Sequence, residues 1–349
     1  MCNILSDESL TLQDHAMAQS RPIRARAQSL LRSSLVWDNH TCLPLRPDDT
    51  FLPQIERYRR AGVNIVSINV GFGTTPWTEC LRVISYMRRW FAVRSDMYRL
   101  ISTVQDVHQC KHDGKLGVAF DIEGMYPVQE DTGLVQTFYE LGVRWMLIAY
   151  NRNNAAGGGC MDNDCGLTGV GRAIIDEMDR VGMVLCLSHT GARTVAEALD
   201  YCRHPAIFSH SNPYGDTCHG RNISDDLMRA CAKKGGVVGL SGIGPFLGAN
   251  TDLVQPLLRQ LRYVIDLIGP RHVGLGLDYV FDSGELDEYV RQNPAAFPPE
   301  MNITGHMGMV EPEAWGEIAD GLAGDNLTDE HIRGILGGNW LRVASEVWR

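Results

Sequence analysis

The stretch from Val184 to Asn212 repeats one device, a short apolar run that stops on Ser-His, and this repeat constrains the fold more than any other feature of the chain. Val184–Leu187 reads as a buried strand ending at Ser188-His189, the residues through Cys202 as a helix, and Ala206–Phe208 as a second strand ending at Ser209-His210. A right-handed β-α-β crossover delivers the C-terminal ends of both strands to one rim, so the two imidazoles are expected to face one cleft. Imidazole in such a place suits a divalent metal.

The same punctuation recurs along the chain. Leu35–Trp37 leads to Asp38-Asn39-His40, Asn64–Val70 follows a helical stretch over Phe51–Ala61, Leu116–Ile122 ends at Glu123, and Trp145–Ala149 ends at Tyr150-Asn151. Val237–Leu240 then ends at Ser241, and Val273–Leu277 ends at Asp278. Helical stretches are expected over Trp77–Gln109, Gly133–Leu141, Gly169–Val181, Thr194–Tyr201, Asp225–Lys234 and Leu253–Ile268, with Pro312–Leu322 and Thr328–Trp348 closing the chain. Eight β-α alternations predict an α/β fold, a (β/α)8 TIM barrel whose active site lies at the strands' C-terminal ends. A doubly wound open sheet explains less well why His40, Glu123, His189, His210 and Asp278 close five separate strands, and no GxGxxG or Walker A pattern supports a nucleotide fold. The expected division is an N-terminal extension over residues 1–33 and a single barrel domain over 34–349.

With 349 residues and 44% hydrophobic content the chain can bury a substantial core. Its net charge of −10, with basic residues scattered, argues against a nucleic-acid or anionic-membrane partner. There is neither an export signal's apolar region nor a run of about 18 apolar residues, so a cytoplasmic location is expected. The ten cysteines form no small-secreted-domain framework, and Cys160-x4-Cys165, without a partner pair, reads as plain loop rather than a metal clip.

Three histidines and two carboxylates on one rim suit one metal, or two about 4 Å apart sharing a carboxylate, the usual arrangement for hydrolysis. Glu123 is the candidate bridge.

Several motifs are similar to those of the renal or membrane dipeptidases, a branch of the amidohydrolase superfamily. They are Asp38-Asn39-His40-Thr41-Cys42-Leu43-Pro44, Asp121-Ile122-Glu123-Gly124, Gly166–Arg172, Leu187-Ser188-His189-Thr190, Ile207–Ser211, Arg221–Asp226, Val273–Asp278 and the tail Asn326-Leu327-Thr328 with Gly338–Val343. The resemblance spans roughly residues 35–345 and implies a zinc-dependent hydrolase with one or two metals per chain. It implies that His40 binds one metal, Glu123 bridges, and His189 and His210 bind the second. Asp278 would approach the first metal and shuttle the proton, and Arg221 would hold the terminal carboxylate of a dipeptide or similar small molecule. A homodimer is expected only because members of that family form one.

This chain departs from the family pattern at three places. The first strand carries His40-Thr41-Cys42 where the family has His-x-Asp, which makes Cys42 a candidate soft ligand beside a site that is altered, weak or empty. Tyr150 stands where the family has a histidine touching the substrate, and its hydroxyl is the candidate oxyanion donor. Leu240-Ser241-Gly242 lacks an expected tyrosine. These departures keep open a second expectation, a one-metal enzyme of the same fold acting on a non-peptide metabolite by amide cleavage or isomerisation. A metal-binding scaffold without catalysis is disfavoured by Asp278 and Arg221.

Overall fold

The computed structural model describes residues 22–349. Ten strands form one sheet: β1 (Trp37–Cys42), β2 (Ile65–Phe72), β3 (Tyr98–Leu100), β4 (Leu116–Glu123), β5 (Val143–Leu147), β6 (Val184–Cys186), β7 (Ile207–Phe208), β8 (Val237–Leu240), β9 (Val273–Leu275) and β10 (Tyr279–Val280). Their order is β10-β1-β2-β4-β5-β6-β7-β8-β9, every pairing is parallel, and β3 adds to the start of β4 before β5 takes over that edge.

β9 and β10 are two halves of one barrel strand, interrupted at residues 276–278. β9 pairs with β8 and β10 with β1, and across the gap Gly276 N donates to Leu240 O at 3.1 Å and Asp278 N to His40 O at 3.0 Å. The sheet is thereby closed into an eight-stranded barrel, the (β/α)8 fold.

Strand alternation decides which side chains reach the centre. On β4, Val118, Phe120 and Ile122 pack outward into the main core, whereas Ala119, Asp121 and Glu123 fall on the opposite, inner face. Ile65, Ala119, Trp145, Leu147, Val184, Cys186, Ile207 and Val237 fill the interior, and the C-terminal helix Asn339–Val347 plugs its lower end with Trp340 and Val343. With the bottom sealed by apolar groups, the polar inner positions crowd the other rim.

Three sequence expectations change. The long helix over Trp77–Gln109 is two helices, Trp77–Ala92 and Val104–Asp113, with β3 between them. The first ends where Val93, placed on the apolar stripe by spacing, is 72% exposed. The second starts at a capping box in which Thr103 Oγ1 accepts from Asp106 N and Asp106 Oδ2 accepts from Thr103 N. Second, β1 extends to Cys42, so His40 sits inside a strand rather than after one. Third, a helix at Ser283–Gln292 had no counterpart in the expectation. Of the extension expected over 1–33, residues 1–21 lie outside the described residues; 22–33 are helical, with Ala27 and Leu30 buried in the main core.

Candidate metal and substrate site

Six of the residues singled out in the sequence converge at the rim. His40 (β1), Glu123 (β4), His189 (after β6) and His210 (after β7) are all buried. Glu123 Oε1 lies 3.6 Å from His40 Nε2, 3.3 Å from His189 Nε2 and 3.1 Å from His210 Nε2. Cys42 Sγ is 3.6 Å from His40 Nε2 and 3.9 Å from Asp278 Oδ1, and His40 Nε2 is 3.4 Å from Asp278 Oδ1. Two ligand sets result, His40-Cys42-Asp278 and His40-Glu123-His210, each with its ligating atoms within 4.8 Å of one another. Cys160 and Cys165 belong to neither set; Cys160 Sγ instead points at Asn151 Oδ1, 3.6 Å away.

Each imidazole is anchored through Nδ1. His40 Nδ1 faces Asp121 Oδ2 at 3.3 Å, the other oxygen of that carboxylate, Oδ1, accepts from Asn69 Nδ2 at 3.0 Å, and His210 Nδ1 faces Ser209 Oγ at 2.8 Å. His189 Nδ1 has two neighbours, Asn151 Oδ1 at 2.7 Å and Arg221 Nε at 3.1 Å, and one ring nitrogen cannot donate to the first while accepting from the second. We assign the hydrogen bond to Asn151, because it is the shorter and because the Asn151 amide already donates through Nδ2 to Ala296 O, which fixes its oxygen toward the ring. All three rings then carry Nδ1–H and turn Nε2 into the cleft, the orientation in which a metal can take the place of any proton on that nitrogen.

The result is a concentration of Lewis bases. The Nε2 atoms of His189 and His210 are only 2.9 Å apart, and Glu123 Oε1 is buried with no hydrogen-bond donor. Lone pairs so placed repel unless a proton or a cation lies among them, and the donor set of imidazole, carboxylate and thiol suits zinc-type metals. The residues present therefore fit a bound metal ion.

Titration follows from burial and these neighbours. Burial pushes Glu123 up to about 8, against the pull of the His40 charge. Burial likewise raises Asp278 above the usual carboxylate range and pushes the Cys42 thiol up to about 12. Burial lowers His189 and His210, helped by the charges of Arg221 and His40, which keeps both rings neutral. Burial also acts downward on His40, but Glu123 and Asp121 outweigh it and hold that ring well above its ordinary value. Three site residues, Asn151, His189 and Asp278, have left-handed backbone with φ of 57°, 60° and 62°, a conformation that side chains other than glycine enter at a cost.

Arg221 is 2% exposed, donates from Nη1 to Ser211 Oγ and from Nη2 to His210 O, and lies over the Phe246 ring. One N–H on each Nη nitrogen remains for a ligand. Tyr150 stacks on His189 with ring centroids 4.2 Å apart, and burial holds its phenol well above the ordinary value, hence protonated. Arg221 and Tyr150 line one cleft together with Cys42, Glu123, His189 and Asp278. The segments after the second, fourth and seventh barrel strands open onto the cleft. Phe72, Tyr150 and Phe246 stand there, but Leu286, Tyr289, Phe297, Met301 and Ile303, all from the segment after the eighth, also line the cleft.

A closed parallel barrel with imidazoles and carboxylates gathered at its rim defines the class of amidohydrolase-type barrel proteins. Among solved structures, an amidohydrolase from Pseudomonas aeruginosa superposes with a TM-score of 0.85 at 25% identity, covering 92% of this chain and 99% of that one. A metallopeptidase from Rhodobacter sphaeroides, liganded with a phosphinate mimic of the dipeptide L-Ala-D-Ala, shares the fold with a TM-score of 0.73 at 19% identity, covering 90% and 100%. The chain belongs to the membrane dipeptidase family, peptidase family M19, whose family model matches residues 24–289. It is 29% identical to an uncharacterized dipeptidase of Schizosaccharomyces pombe over 77% of this chain and 62% of the relative. It is 30% identical to the dipeptidase verJ of Clonostachys rogersoniana over 72% and 61%. The chain thus spans about three fifths of the length of these curated relatives. No helix among the described residues is long and apolar enough to cross a membrane.

Proposed function

We propose that this protein is a zinc-dependent hydrolase that cleaves a dipeptide or peptide-like amide bearing a free carboxylate. The observation that carries this reading is the meeting of three imidazole Nε2 atoms on the donor-less Glu123 Oε1; membership of a family of dipeptidases supports it. His40, Glu123, His189 and His210 would hold the metal, with Cys42 and Asp278 completing the His40 side. Bound zinc supplies a Lewis acid and lowers the pKa of water.

The chain's own groups have separate tasks. Asp278, braced by Ser241 Oγ at 3.4 Å and kept by burial above the usual carboxylate range, takes a proton from the attacking water and returns it to the leaving nitrogen. Tyr150, held protonated, donates to the oxygen that becomes anionic as water adds to the carbonyl. Arg221 pairs the substrate carboxylate with its two remaining Nη hydrogens.

Turnover of a panel of L-Xaa-D-Xaa and L-Xaa-L-Xaa dipeptides by the zinc-loaded protein tests the reading, and no turnover of any member refutes it. Cys42 in the His40 cluster favours a second reading, a one-metal enzyme acting on a non-peptide amide. Zinc content separates the two: nearly two per chain supports the first, nearly one the second.

A further inference from the structure

The cleft has two chemically unlike parts. One is the ligand cluster with Arg221. The other is a wall in which Tyr289 and Phe297 join Phe72 and Tyr150 in a closed circuit of aromatic rings, with centroid separations of 4.5 Å (Phe72–Tyr289), 5.8 Å (Tyr289–Phe297), 6.0 Å (Phe297–Tyr150) and 5.4 Å (Tyr150–Phe72). Ile243, Met301 and Ile303 line the same cleft and share one apolar cluster with Tyr150, Tyr289 and Phe297. The ring under the Arg221 guanidinium is Phe246, outside this circuit.

The wall is fixed in place. Asn151 Nδ2 and His219 Nε2 donate to Ala296 O and Met301 O, both at 3.0 Å, and Val310 N donates to Gly242 O at 2.9 Å. Gly73, with φ of 60°, lets Tyr289 approach: a Cβ at that position would stand 2.6 Å from the Tyr289 hydroxyl. The acids at the wall's edge are spoken for, since Arg46 pairs with Asp282 at 2.6 Å and Glu285 at 2.9 Å. Among the described residues no unpaired charge on this wall is left to recognise an ion, whereas four rings offer a large apolar surface.

We propose that this wall is a binding subsite for a bulky apolar, preferably aromatic, group on the acyl side of the scissile amide. The assignment to the acyl side rests on the hydrolase reading, in which Arg221 takes the carboxylate at the other end.

Two measurements test it independently. The first is calorimetric binding of N-benzoylglycine and N-acetylglycine to the zinc-loaded protein, ligands that share the carboxylate and differ in acyl size. Benzoylglycine should bind about tenfold tighter or more, the discrimination a few buried carbons give, and the ratio should shrink several-fold in Phe297→Ala and in Tyr289→Ala. The second is the kcat/KM series Gly-D-Ala, Ala-D-Ala, Leu-D-Ala, Phe-D-Ala, which should climb with side-chain size. Equal affinity for the two ligands, binding of neither, or a ratio that both variants leave unmoved overturns the subsite. A benzoyl preference without turnover of any dipeptide retains the subsite and refutes the hydrolase reading; turnover without size preference in either measurement does the reverse.

Discussion

Replacing Glu123 by Gln should make the metal-free protein more stable and the metal-loaded protein less so. The carboxylate is buried, Oε1 has no donor, and burial raises its pKa from the ordinary 4.5 to about 8. A folded-state value above the unfolded one means that the native state holds the proton longer, so the associated stability is complete below pH 4.5 and is lost as pH climbs through 8. At about 1.4 kcal/mol per tenfold, ionised Glu123 costs the metal-free fold about 5 kcal/mol by pH 9. The amide keeps the size and carries no charge, so this cost disappears. Part of the gain is offset because His40 loses an anionic neighbour. With an unfolding entropy of about 2 cal/mol/K per residue, the full amount corresponds to a melting shift of about 7 °C for a chain of this length. The assay is calorimetric melting of chelator-treated wild type and Glu123→Gln at pH 5 and pH 9, repeated with zinc. The expected pattern is near-equal melting at pH 5, a higher Tm for the variant at pH 9 without metal, and the opposite order with zinc. A variant that melts lower than wild type without metal at both pH values would refute the argument that Glu123 is an uncompensated buried charge.

Other outcomes follow from the same geometry. Asn151→Leu removes the acceptor that sets the His189 tautomer and should weaken zinc binding about 10- to 100-fold; competition against a chromophoric chelator measures it, and unchanged affinity contradicts the assignment. Cobalt-loaded wild type should show a near-ultraviolet thiolate-to-cobalt band that Cys42→Ser abolishes, and identical spectra would remove Cys42 from the metal site. Arg221→Lys should raise KM about tenfold or more for substrates with a free C-terminal carboxylate, because a point charge replaces a two-pronged donor. C-terminally amidated analogues should lose much less, and equal losses on both would take Arg221 out of carboxylate binding.

The parts of the site legible in the sequence are those set by local rules. A run of apolar residues that stops on a ligand-type side chain specifies strand, rim and direction together, so His40, Glu123, His189, His210 and Asp278 could be placed on one rim before any contact was known. Asn151 was visible beside Tyr150 but not its task, because fixing a tautomer depends on a partner 38 residues away. β3 was swallowed by the helical spacing of its neighbours: Tyr98-Arg99-Leu100 is too short to announce itself and becomes a strand only by pairing with Leu116-Gly117-Val118. The wall over residues 281–309 escaped for a related reason. Leu286, Tyr289 and Val290 keep helix spacing over one short helix, Phe297, Met301 and Ile303 beyond it follow neither period, and their meaning lies in rings contributed from three distant segments.

The seam between the first and last barrel strands also determines when a working centre can exist. Thr41 and Tyr279, paired across it, are 238 positions apart in the chain, so the meeting of His40 with Asp278 is a contact of very high sequence separation, the kind that is slow to form. A cation captured there reports that the ring has shut and, by binding the closed form alone, acts as a latch against its reopening.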